Sequence, residues 1–226
     1  MKGRVISGLW IIAALCLFYF GWDGEFFTAL LFCCCGIALA EIWIVAFYEN
    51  FRMPAQPKFP FAWASEFLIL CLAMLTLITM GRDEAALVVL VCILSDVGAF
   101  AFGKIWGKHR VEALKEISPN KTQEGFVGGI IIAIIVGVVT CELLGIAFTH
   151  GVVVFIALSG PISEIGDILG SAAKRQLGIK DSGEVLRNYS IFKWLEWPLK
   201  GHGGYLDRMD SISLGIVVFA IINFAL

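Results

Sequence analysis

A chain of 226 residues with 59% hydrophobic and 16% charged side chains and a mean hydropathy of +0.86 is not an ordinary soluble domain, which would carry about a quarter charged residues. Apolar runs of about 18 residues or more recur along it, the length of a membrane-spanning helix, and their continuity argues against the alternating pattern of a β-barrel. The formal net charge of −2 says little, because the signs are segregated by loop. The expectation is an all-α, polytopic integral membrane protein of about seven transmembrane helices.

In chain order, Met-Lys-Gly-Arg precedes a short apolar run at 9–20. It mimics a signal peptide, but the next apolar run follows almost at once with no small-residue cleavage pattern, so an uncleaved first span is expected. A second span over 26–47 contains Glu41, and Pro54, Pro57 and Pro60 mark the loop after it. The third covers 62–80, Gly81-Arg82-Asp83-Glu84 turns the chain, and the fourth covers 85–102 with Asp96 in its second half. A polar loop at 103–123 leads to spans at 125–148, 152–170 and 212–225. This suggests an N-terminal transmembrane region, 1–84, and a catalytic one, 85–226, with loops 103–123 and 171–210. With the N-terminus cytoplasmic, every Lys and Arg except Arg82 falls in an inside segment, as the positive-inside rule requires. The seven cysteines all lie in apolar runs without zinc-site spacing and read as small buried hydrophobes.

Charge inside a span is costly, so each intramembrane acid is a functional candidate. Asp96 sits among small residues that let helices approach closely. Glu164 and Asp167, three apart, share a helix face, and Ser163, Asp167 and Ser171 form a stripe that runs into Lys174 and Arg175. A helix–helix hydrogen-bond stripe without a ligand is the alternative. Glu41, Glu66 and Glu142 have less company and read as structural. Further on, Ser118-Pro119-Asn120-Lys121-Thr122 precedes a glycine-rich helix start, where free N–H groups, the helix dipole and Lys121 with Thr122 could hold phosphate oxygens. A capped span behind a solvated loop is an equal reading.

The last loop carries more. Asp207 and Asp210 are hard oxygen donors of the kind Mg²⁺ takes together with phosphate and water. His202-Gly203-Gly204 lets backbone approach a ligand closely, and Lys174, Arg175, Lys180 and Arg208 can neutralise phosphate. A surface for anionic lipids is the bland alternative, and the intermixed Asp residues argue against it.

Here the sequence resembles a known family. Ser171, Lys174, Arg175, Lys180, Asp181 and Gly183, then His202, Gly203, Gly204, Asp207, Arg208 and Asp210, are similar to the signature of phosphatidate cytidylyltransferases, also called CDP-diacylglycerol synthases. The resemblance extends upstream through Gly166-Asp167 and SPNKTQEG to Asp96 with Gly98-Ala99-Phe100. It departs at residues 184–197, an insert rich in Trp and Leu that reads as an interfacial amphipathic segment. It departs too at Pro198-Leu199-Lys200-Gly201, which stands for a compact Pro-Gly, and at Gln123, where a tryptophan is expected.

The resemblance implies transfer of CMP from CTP to phosphatidate, giving CDP-diacylglycerol and pyrophosphate, in a cleft of the C-terminal half open to cytoplasm and lipid. It implies Mg²⁺ as cofactor, with a monovalent cation such as K⁺ as an optional companion. Asp167 and Asp207 would hold the metal, with Asp210 and Asp96 as further ligands. Lys121, Thr122, Lys174, Arg175 and Arg208 would hold phosphates, and Ser171, Lys180, Asp181, His202, Gly203 and Gly204 would complete the substrate site. The expected partners are the two substrates and membrane lipid, not nucleic acid, with a homodimer left open. The expected location is a bacterial inner membrane with the active-site loops cytoplasmic. The alternatives are a membrane-embedded CTP-dependent isoprenoid-lipid kinase, a CDP-archaeol-type synthase and, last, a non-enzymatic transporter or assembly protein.

Overall fold

The computed structural model describes residues 24–49, 61–176, 178–179 and 205–226. These form six α-helices with no strand among them: α1 (Gly24–Glu49), α2 (Ala62–Leu77), α3 (Arg82–Trp106), α4 (Gln123–Leu144), α5 (His150–Gln176) and α6 (Leu206–Ala225), with a 3₁₀ turn at Glu112–Leu114. By length and composition, four of them, α3 to α6, can cross a membrane, since about 20 apolar residues span the hydrocarbon core. The chain is an integral membrane protein. α2, at 16 residues, is shorter than that length. The expected span at 9–20, the proline loop with Pro54, Pro57 and Pro60, and the insert at 184–197 lie outside the described residues.

The helices overrun or fall short of the apolar runs for local reasons. α4 stops at Leu144, not at 148, because Gly145 adopts φ 68 and its N–H closes back on the Cys141 carbonyl. α5 passes the expected end at 170 and continues through Lys174 and Arg175 to Gln176, since Ala, Lys, Arg and Gln are good helix formers. A Schellman turn then ends it: Gly178 takes φ 75, its N–H bonds the Arg175 carbonyl, and that of Ile179 bonds the Lys174 carbonyl. α6 begins at Leu206, six residues before the expected 212. Thus Ser171, Lys174 and Arg175 at one end of the expected loop, and Asp207, Arg208 and Asp210 at the other, are helical.

The chain divides into two compact units. The first contains Met1–Arg82 and Ala172–Met209, the second Asp83–Ser171 and Asp210–Leu226.

In the second unit, glycines stand where helices touch. A Cβ on Gly128 of α4 would lie 2.3 Å from Phe102 Cγ of α3, one on Gly160 of α5 2.6 Å from Ile130 Cα of α4, and one on Gly166 of α5 2.7 Å from Ser211 Cα of α6. Small residues that admit backbone contact are how helices associate in lipid, where apolar burial offers no driving force. Phe155 and Phe219 meet edge to face at 5.0 Å, and Ser95 Oγ donates to the Gly129 carbonyl at 3.2 Å. Pro161 interrupts the ladder of α5, which membrane helices tolerate when neighbours satisfy the freed groups.

In the first unit, α1 packs on α2. Here side chains distant in sequence close the helix starts: the Gln176 amide oxygen accepts the Trp63 N–H at 3.0 Å, and Glu41 accepts the N–H groups of Tyr205 and Leu206.

Candidate active site

The second unit holds a cavity of about 470 Å³ lined by Asp96, Glu164 and Asp167, by Ser118, Asn120, Lys121 and Thr122, and by Phe100 and Phe126. That volume is in the range of small-molecule sites. Four residues expected from the sequence therefore meet at one place: Asp96 from α3, Lys121 and Thr122 from the segment before α4, and Asp167 from α5.

Spacing along α5 sets the acidic side, because residues three apart share a face. Lys121 Nζ donates to Glu164 Oε2 at 2.5 Å and pairs with Asp167 Oδ2 at 2.7 Å. Glu164 is 3% exposed and Asp167 36%, so the pair has a buried end and a wet end. Burial alone would disfavour the Lys121 ammonium, but the charges and hydrogen bonds of Asp167 and Glu164 outweigh it and raise its pKa above the ordinary lysine value. The cation is secure at neutral pH.

Local structure delivers that lysine. An isolated antiparallel bridge joins Arg110 to Thr122, the Val111 N–H bonds the Lys121 carbonyl at 3.1 Å, and the Gln123 N–H bonds the His109 carbonyl at 2.9 Å. His109 Nδ1 lies 2.6 Å from Glu124 Oε1. These contacts fold residues 107–122 back on themselves. Thr122 caps α4, its Oγ1 accepting the Gly125 N–H at 3.1 Å. The helix end expected to receive a phosphate is thus partly engaged by the protein itself.

Asp96 is held on both oxygens: Ser163 Oγ donates to Oδ1 at 2.8 Å and Ser211 Oγ donates to Oδ2 at 2.9 Å. One carboxylate thereby ties α3, α5 and α6 together. Asp210 is buried, and its Oδ1 accepts the Ser211 N–H at 2.8 Å. A Cβ on Gly170 would come within 2.5 Å of the Asp210 Cβ.

The first unit contains a separate pair. Lys174 Nζ donates to Asp207 Oδ1, with side-chain exposures of 8% and 17%. Arg175 Nη1 bonds the Ile179 carbonyl at 3.1 Å, and Arg208 is exposed on the first turn of α6. Ser171 is half-buried on α5 in the second unit. Lys180, Asp181, His202, Gly203 and Gly204 lie outside the described residues.

A family model described as the cytidylyltransferase family matches residues 2–226. The chain belongs to the cytidylyltransferase family. It is 42% identical over 124 residues to the phosphatidate cytidylyltransferase of Staphylococcus saprophyticus, and 38% identical over 123 and 126 residues to those of Staphylococcus haemolyticus and Staphylococcus aureus. Each match covers 54% of this chain and 42% of the relative, so the matched region spans less than half the length of these curated relatives.

The resemblance implies Mg²⁺, and the carboxylates lining this cavity are the donors that could take it up. Among the described residues no three His, Cys, Asp or Glu side chains are grouped as a metal cage. Mg²⁺ rarely uses one, taking instead one or two carboxylates with substrate phosphates and water. Asp96 and Asp167 supply two carboxylates on one cavity, and a cation, the Lys121 ammonium, already bridges Asp167 and Glu164.

Glu164, an intramembrane acid outside the expected site residues, joins the site through Lys121. Its spacing from Asp167 was the usable signal. Ser211 and Glu41 gave no such signal, since their partners are 115 and 164 residues away.

Proposed function

We propose that the protein is a phosphatidate cytidylyltransferase that transfers CMP from CTP to phosphatidate, releasing pyrophosphate. The observation that carries this is Lys121, locked between Glu164 and Asp167 at the rim of a cavity that also holds Asp96, in a chain of the cytidylyltransferase family. A phosphatidate oxygen attacks the α-phosphorus of CTP, a P–O bond forms, and the bond from that phosphorus to the β-phosphate oxygen breaks. The nucleophile is already ionised near neutral pH, so no general base is required. The difficulty is bringing two polyanions together and stabilising charge on the departing pyrophosphate, which calls for fixed cations.

Lys121 supplies one such cation, and its two carboxylates fix its position before substrate arrives. The Ser163 and Ser211 hydroxyls orient Asp96, so its geometry costs no reorganisation during the reaction. Asp96 and Asp167 would hold Mg²⁺, which when bound neutralises phosphate charge. The resemblance also assigns Lys174 and Arg208, which belong to the first unit, to phosphates. The basic residues of 107–122 and the bacterial relatives support a cytoplasmic face for this loop, in a bacterial inner membrane.

The test is conversion of labelled CTP to CDP-diacylglycerol by the purified protein in phosphatidate-containing micelles with Mg²⁺. Parallel arms offer an isoprenoid alcohol or an ether-lipid phosphate in place of phosphatidate. We expect product with phosphatidate, its loss on chelation, and a fall of about 10²-fold or more in Asp167→Asn. Turnover of the alcohol alone, or undiminished turnover in Asp167→Asn, would overturn the reading.

A further inference from the structure

Glu41 is a buried acid that the chemistry above does not use. It is 0% exposed in α1, between Ala38 and Ile42, which are equally enclosed. A carboxylate in such surroundings is costly unless it is hydrogen-bonded or paired. Both oxygens reach the start of α6: Oε1 accepts the Tyr205 N–H at 3.0 Å and Oε2 accepts the Leu206 N–H at 2.8 Å. These amides stand at the start of α6, where the first N–H groups have no partner within the helix and the dipole favours negative charge.

The next residues are Asp207, which Lys174 engages, and Arg208. The first turn of α6 is therefore held at its backbone by an acid from α1 and at its side chains by a lysine from α5, all within the first unit. A carboxylate at that helix end also takes up amides that would otherwise attract a substrate phosphate.

We propose that Glu41 is a positioning residue for the transfer: it touches no substrate, but by closing the N-terminus of α6 it sets where Asp207 and Arg208 present their charges. This rests on the functional reading given above. Misplacement by about 1 Å can cost about 10²-fold in rate.

The test compares wild type with Glu41→Leu, which keeps bulk but removes both acceptors, and Glu41→Gln, which keeps one oxygen. Glu41→Leu is expected to lower kcat about 10²-fold while KM for CTP and phosphatidate stays within about twofold. Glu41→Gln should fall between. Hydrogen exchange supplies a readout independent of turnover: the amides of 205–206 should exchange faster in both variants, more so in Glu41→Leu, with α3 and α4 unchanged. If Glu41→Leu does not fold, Glu41→Gln decides alone. Wild-type kcat in a folded variant, whatever the exchange at 205–206, overturns the proposal. A wild type that makes no CDP-diacylglycerol counts against the functional reading, and the exchange comparison then decides on Glu41.

Discussion

Each unit of the protein holds a lysine against carboxylates, and the two do so differently. In the second, Lys121 comes from the segment before α4 and meets two acids one helical turn apart on α5, beside a cavity. In the first, Lys174 is itself helical and meets Asp207 on the first turn of α6. Helix starts differ in the same sense. Thr122 caps α4 from three residues away, whereas Gln176 and Glu41 close α2 and α6 from 113 and 164 residues away. The second unit thus sets two acids on one helix face around a lysine 43 residues away, and the first uses side chains from elsewhere in the chain to hold helix ends. A lysine shared by two acids with one wet end suits ligand exchange; one paired to an acid on a capped helix start suits fixing a position.

The largest expected effect tests that contrast directly. Lys121→Met removes the cation shared by two carboxylates, one only 3% exposed. We expect CDP-diacylglycerol formation to fall about 10²–10³-fold and stability to drop by about 3–5 kcal/mol, the usual cost of stranding a buried charge. Adding Glu164→Gln should restore much of the stability and little of the activity. Lys174→Met should destabilise less, about 1–3 kcal/mol, because Asp207 keeps more access to water at 17% exposure. Thermal unfolding in detergent with parallel turnover assays checks both. Recovered turnover in Lys121→Met with Glu164→Gln would reduce Lys121 to a structural role and dissolve the contrast.

The same contrast governs what the sequence could reveal. Residue type and local context are visible in a sequence, and so Asp96 as a charge within an apolar run, Lys121 and Thr122 before a glycine-rich helix start, and Asp167 three residues from Glu164 could be singled out before their meeting place was known. The apolar runs that became α3, α4, α5 and α6 were equally legible, because length and hydropathy are read directly. Helix ends were less so: hydropathy stops at the last apolar residue, but Ser171 to Gln176 propagate α5 beyond it and Leu206 starts α6 six residues before the next apolar run. Glu41 looked structural for a physical reason. The groups it meets at the start of α6 are backbone amides, which nearly every residue possesses, so no pattern of side chains announces them.

A middle-sized effect concerns packing. The Cβ of Gly128→Ala would meet Phe102 Cγ at 2.3 Å, whereas on Gly36 in α1 the nearest atom is Met74 Cε at 3.8 Å, an ordinary contact. Gly128→Ala should therefore cost about 1–3 kcal/mol through overpacking. Gly36→Ala should be neutral or stabilise by up to about 1 kcal/mol, since alanine is the better helix former. Paired melting curves measure the difference. Equal tolerance at both positions would show that α3 and α4 can separate freely, and that the cavity between their ends is not held open by glycine contacts.

The smallest expected effect is a constancy with pH. Lys121 has its pKa raised in the folded protein, relative to about 10.4 for a free lysine. A group raised in this way contributes its stabilisation in full below the unfolded value and loses it only as pH climbs through the higher folded value. The difference in melting temperature between wild type and Lys121→Met should then stay flat between about pH 7 and pH 9, a window below both values. It should close only in strongly alkaline solution. A difference that shrinks between about pH 7 and pH 9 would mean that burial outweighs Asp167 and Glu164 and that the lysine sheds its proton near neutrality. In that case it could not serve as a fixed cation for phosphate, and the second unit would lose the feature that most separates it from the first.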